Sequence, residues 1–66
     1  MNGAHDTPIR QARKRAGLTL EQLAVKAGIA RMTLYMAERA PALASERTIL
    51  RVASVLDVDP NELRTP

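Results

Sequence analysis

TLEQLAVKAGIARMTLYMAER, residues 19–39, decides how this chain folds. Thr19, with Gln22 three positions on, is a capping-box pattern, so a helix opens there and runs from about Leu20 to about Ala27. Gly28 offers the left-handed conformation that ends a helix. Only Ile29 and Ala30 intervene before a second apolar rhythm begins, which predicts another helix from about Arg31 to about Glu38. Two helices joined by so short a link must cross steeply. The small side chain of Ala24 lets them approach closely, and Ile29 and Leu34 fall on the buried sides of the corner.

Upstream, Thr7 stands as a cap before Pro8, whose missing N–H costs nothing in a first turn; that helix runs to about Ala16 and stops at Gly17. Residues 1–6 have no periodic pattern and read as a flexible arm, leaving 7–66 as one domain. Downstream, Ala40 to Ala44 contains Pro41 and no helical register, which predicts a loop. Ser45 then caps a helix with Ile49, Val52, Ala53 and Leu56 at three- and four-residue spacings. Asp59, Pro60 and Glu62 open a short closing helix in which Leu63 turns back to the core. The expectation is an all-α fold of five helices.

Composition agrees. Sixty-six residues suffice for one small domain, and Tyr35 is the only aromatic residue, so the core is assembled from Leu, Ile, Val, Ala and Met. Cysteine is absent, which removes disulfides, thiolate zinc sites and cysteine nucleophiles. No apolar run is long enough for a membrane span or a signal peptide, which predicts a soluble, cytoplasmic protein. The net charge of +3 is uneven: residues 1–39 carry seven basic groups against three acidic ones, whereas residues 40–66 carry three against four. The positive N-terminal half points to a polyanionic partner.

Catalytic chemistry finds no foothold. His5 is a lone histidine without neighbouring ligands, so no metal site is expected. Ser45 and Ser54 lack a general base, and the three glycines are too scattered to cradle a phosphate. Neither an enzyme nor a cofactor is expected.

The set Leu23, Ala24, Ala27, Gly28, Ile29 and Leu34 resembles the helix-turn-helix family typified by phage repressors and Cro proteins. The resemblance runs from about Ile9 to Leu63 and takes in Arg13, the Gly17-Leu18-Thr19 run, Glu38, and Thr48, Ile49 and Ala53. It implies a five-helix repressor-like fold, a structural pair between Arg13 and Glu38, and a third helix that lies in the DNA major groove. Four positions depart from the pattern. Leu20, Ala30, Ala40 and Ala44 stand where the family usually has Gln, Ser or Thr, Gly and Pro. Leu20 and Ala30 each remove an expected backbone contact, so binding weaker than is typical is expected.

With Leu34 turned inward, a helical wheel puts Met32, Met36 and Arg39 on the opposite side, flanked by Tyr35 and Arg31. In the family's docking mode Arg31, Met32, Tyr35 and Met36 face bases. The guanidinium of Arg31 can bridge O6 and N7 of guanine, and the methionines can pack on thymine methyl groups. Thr33, Arg39, Arg10 and Lys14 are candidates for phosphates. The methionines alternatively belong to the core, and Arg10 and Lys14 to a solvated face.

These assignments describe a transcriptional regulator, chiefly a repressor, that binds a palindromic operator in double-stranded DNA as a homodimer. Leu43 and Val58 are candidates for the dimer interface, with core packing as their alternative role. The rival function is a protein-interaction module that uses the Met32, Tyr35 and Met36 stripe to hold a protein partner.

Overall fold

The computed structural model describes residues 6–64 and contains, among them, five α-helices and no strand. They are α1 (Pro8–Arg15), α2 (Leu20–Ala27), α3 (Arg31–Arg39), α4 (Glu46–Leu56) and α5 (Pro60–Arg64). The expected loop between α3 and α4 holds a single 3₁₀ turn, Pro41–Leu43, because Pro41 fits a first turn and the Leu43 and Ala44 amides donate back to Ala40 and Pro41.

The helices pack around Ile9, Leu23, Leu34, Ile49, Val52 and Leu63, all essentially inaccessible to solvent. Alanines at positions 12, 24, 27, 37 and 53 fill the crossings between them, so the helices approach closely without aromatic side chains. Leu18, Leu20, Ile29, Val55, Leu56 and Val58 seal the rim.

Helix ends show how the corners are made. At the head of α2, Thr19 Oγ1 accepts from the Gln22 amide (3.1 Å) and Gln22 Oε1 accepts from the Thr19 amide (2.9 Å), a complete capping box. Ser45 Oγ caps α4 by accepting from the Thr48 amide at 3.1 Å. Both α1 and α2 end with a left-handed glycine, Gly17 (φ 74°) and Gly28 (φ 69°). In each the next residue's amide reaches back over the turn, Leu18 to Arg13 O and Ile29 to Ala24 O. The end of α4 has the same form with a non-glycine, Asp57 at φ 58°.

Two expectations at the start of the chain need correction. Thr7 has cap-like backbone angles but its side chain caps nothing; Oγ1 is turned inward and buried without a hydrogen-bond partner. Asp6, assigned to the arm, instead belongs to the helix entrance. Its carboxylate pairs with Arg10 (3.1 Å) and approaches Lys14 (3.7 Å), and its carbonyl accepts from Gln11 Nε2. An anion just before α1 is also favoured by the positive end of the helix. The rest of the expected arm, including His5, lies outside the described residues.

Candidate nucleic-acid interface

A nine-residue helix gains little stability from itself, so α3 must be anchored by what it buries. Leu34 and Ala37 sink into the core, and Glu38 is buried beside them. Arg13 of α1 meets that carboxylate with both arms of its guanidinium, Nε to Oε2 at 2.6 Å and Nη2 to Oε1 at 3.3 Å. Its remaining nitrogen, Nη1, donates to Leu18 O at 2.9 Å. One side chain thus ties α1, the corner before α2 and the end of α3.

Arg51 ties the other corner. From α4 it donates Nη1 to Ala27 O, the last carbonyl of α2, at 3.3 Å. The same nitrogen lies 3.0 Å from where a Cβ on Gly28 would stand. The α2–α3 turn is therefore closed by a side chain from α4, an arrangement with no local signature because 24 residues separate donor and acceptor.

What these anchors leave outward is the face carrying Arg31, Met32, Tyr35 and Met36. Met32 and Met36 are 64% and 61% exposed, four residues apart and thus adjacent on the helix surface. Arg31 is exposed in the first turn and, among the described residues, makes no hydrogen bond or ion pair. Ala30, at the cap position, supplies no side-chain acceptor, so the first amides of α3 are left to solvent or a ligand.

Arg39 is not independent of Tyr35. Its guanidinium lies 5.5 Å from the ring centroid, and Nη1 donates to the Tyr35 hydroxyl at 3.0 Å. The two form one wall of an open cleft of about 750 Å³ between α1 and α3, with Arg10 and Leu20 also on its lining. Arg10 lines that cleft already paired with Asp6, whose carboxylate Lys14 also approaches, so part of their charge is offset. Thr33 is exposed on the opposite flank and borders a smaller apolar groove with Met36, Ala40 and Leu43.

Leu43, on the 3₁₀ turn, is 85% exposed, whereas Val58 is half-buried against the core. The two dimer-interface candidates therefore differ in kind: Val58 packs within the fold and Leu43 does not. The described residues include no cluster of three or more His, Cys, Asp or Glu able to hold a metal ion. None of their helices is long and apolar enough to cross a membrane.

The arrangement has close counterparts. The N-terminal DNA-binding domain of SinR from Bacillus subtilis superimposes with a TM-score of 0.79 at 37% identity, covering 88% of this chain and 86% of that one. A solution structure of the same SinR domain gives 0.75 at 36% identity, over 88% and 86% of the two chains. The restriction-modification controller protein C.AhdI from Aeromonas hydrophila gives 0.76 at 36% identity, over 85% of each chain. No curated protein matches the chain at a significant level. The helix-turn-helix family profile matches residues 9–63, which spans α1 to α5 and both anchored corners. The chain belongs to the helix-turn-helix family.

Proposed function

We propose that this protein is a sequence-specific double-stranded DNA-binding regulator of transcription, a cytoplasmic repressor that occupies a palindromic operator as a homodimer. The observation that carries this is the unengaged Arg31 guanidinium at the start of an otherwise anchored α3, beside two exposed methionines. A solvent-facing cation with five donors and no internal partner is suited to a guanine edge. Support comes from two solved relatives, one described in both of its structures as a DNA-binding domain and the other as a controller protein.

In this mode α3 lies in the major groove with Arg31, Met32, Tyr35 and Met36 toward bases. Thr33 and the Tyr35-held Arg39 meet phosphates, and Arg10 and Lys14 add a field that Asp6 moderates. Two copies related by a two-fold axis read half-sites about 34 Å apart. Exposed Leu43 is the main apolar group offered to the second copy, and half-buried Val58 offers the smaller part. The Arg13–Glu38 pair has a structural part, holding α3 at its angle.

The test is a salt series of binding to a randomised pool of duplex DNA, with sequencing of the retained fraction, repeated with Arg31→Ala. An enriched palindrome whose preference collapses in the variant is expected. Failure of the folded protein to retain any duplex at low salt overturns the proposal. The second function, a protein-interaction module, is favoured by the exposure of Met32, Tyr35 and Met36 at 64%, 44% and 61%. It predicts that Met32→Ala with Met36→Ala abolishes a protein association and leaves DNA binding intact.

A further inference from the structure

The outward face of α3 holds few unengaged hydrogen-bonding groups. Arg31 is the one cation on it without an internal partner among the described residues. The Tyr35 hydroxyl is engaged by Arg39 toward the end of the helix, and Thr33 lies on the flank that borders the 3₁₀ turn. Between them the surface is made by Met32 and Met36, one helical turn apart and both mostly exposed.

A thioether donates no hydrogen bond and accepts only weakly. It therefore cannot separate the C4 oxygen of thymine from the C4 amino group of cytosine, which is the polar difference between the two pyrimidines in the major groove. What it can register is shape and apolar contact, and the one apolar group the major groove offers is the methyl on pyrimidine C5. The flanking cations make the surrounding field favourable to DNA, so the apolar centre lies within a face of complementary charge.

We infer that Met32 and Met36 read the C5-methyl group of pyrimidines rather than the identity of thymine, so that 5-methylcytosine is accepted where thymine is, while uracil and unmodified cytosine bind several-fold more weakly. This rests on the DNA-binding function proposed above. It makes operator occupancy sensitive to cytosine methylation: methylating a cytosine under either side chain strengthens binding, and the modification is recognised without any dedicated cage.

The test begins with the duplex enriched by the wild-type protein. At each thymine position in the α3 footprint, four duplexes are compared in which the pyrimidine is thymine, uracil, 5-methylcytosine or cytosine, the last two paired with guanine. Uracil is expected to weaken binding about fourfold for each thymine methyl it removes, the fold-change equivalent to one buried methyl group. Cytosine should bind no better than uracil, and 5-methylcytosine should restore binding to within about twofold of thymine, much less than the loss of a good bidentate base contact.

The Met32→Ala, Met36→Ala double variant should bind thymine and uracil duplexes alike, with unchanged thermal unfolding, since both side chains are mostly exposed. Equal binding of thymine and uracil duplexes by the wild-type protein, or 5-methylcytosine no better than cytosine, overturns the inference and leaves the DNA-binding function standing. Absence of duplex retention by folded protein overturns both.

Discussion

The two flanks of α3 are built on opposite terms. On the inner flank Leu34 and Ala37 are buried and Glu38 is held at both oxygens by Arg13. On the outer flank Arg31, Met32 and Met36 are exposed, and Arg31 has no partner among the described residues. The inner flank is thus specified by the fold, and the outer one is left to be specified by whatever it meets. Substitutions inside should move stability, and substitutions outside should move binding alone.

Glu38→Ala should break the comparison most severely if it is wrong. It strands a guanidinium whose side chain is only 14% exposed, and removing one member of a buried pair costs about 3 kcal/mol. In a domain of this size that lowers the unfolding midpoint by roughly 15 °C. Thermal unfolding followed by circular dichroism measures it. A loss below about 1 kcal/mol, the scale of an exposed pair, would mean that α3 is held by Leu34 and Ala37 alone.

The next test compares the corners that aim the helix. Gly17 and Gly28 share a positive φ, yet a Cβ on Gly17 meets nothing within 4 Å, whereas on Gly28 it meets Arg51 Nη1 at 3.0 Å. Gly17→Ala should cost about 1 kcal/mol for the left-handed backbone alone. Gly28→Ala should cost about 2 kcal/mol, since the guanidinium must also weaken its bond to Ala27 O. Denaturant titration separates the two, and Arg51→Met should account for the difference. Equal losses would show that Arg51 moves aside freely and that the α2–α3 turn does not need it.

Arg31→Ala addresses the outer flank. Unfolding should stay within about 0.5 kcal/mol of the parent, as for surface sites without partners. Affinity for the enriched operator should fall roughly tenfold, one good base contact's worth, while binding to random duplex changes little. A variant that loses stability and specificity together would show that Arg31 supports the fold.

Most of the corners were legible because their causes are local. A hydroxyl and an amide three residues apart announce the capping box of Thr19 and Gln22, and glycine announces the ends of α1 and α2. The outward placement of Met32 and Met36 followed from helical spacing once Leu34 was turned inward. Arg51 was not legible, because its acceptor is distant in sequence and belongs to the backbone. Nor was Asp57, since a left-handed end without glycine gives no signal in composition. The stacking of Arg39 on Tyr35 lay within the i, i+4 rule, but nothing in the spacing says that the pair joins the wall of a cleft.

Thr7 is the place where a local rule pointed the wrong way, and it bears on how completely the inner side is satisfied. The cap pattern of Thr7 and Pro8 predicts a hydroxyl turned to the amides of α1, yet Oγ1 is buried with no partner while Asp6 supplies the anion at the helix entrance. A hydroxyl that gives up water without a replacement bond costs about 1 kcal/mol or more. Thr7→Val keeps the branched shape and removes that cost, so it should raise stability by about 1 kcal/mol, a gain of roughly 5 °C. Thr7→Ser keeps the hydroxyl and loses the methyl, so it should gain nothing. If valine destabilises instead, the hydroxyl is bonded in solution, and the α1 side of the cleft beside Arg13 and Glu38 is fully satisfied, as the rest of the inner flank is.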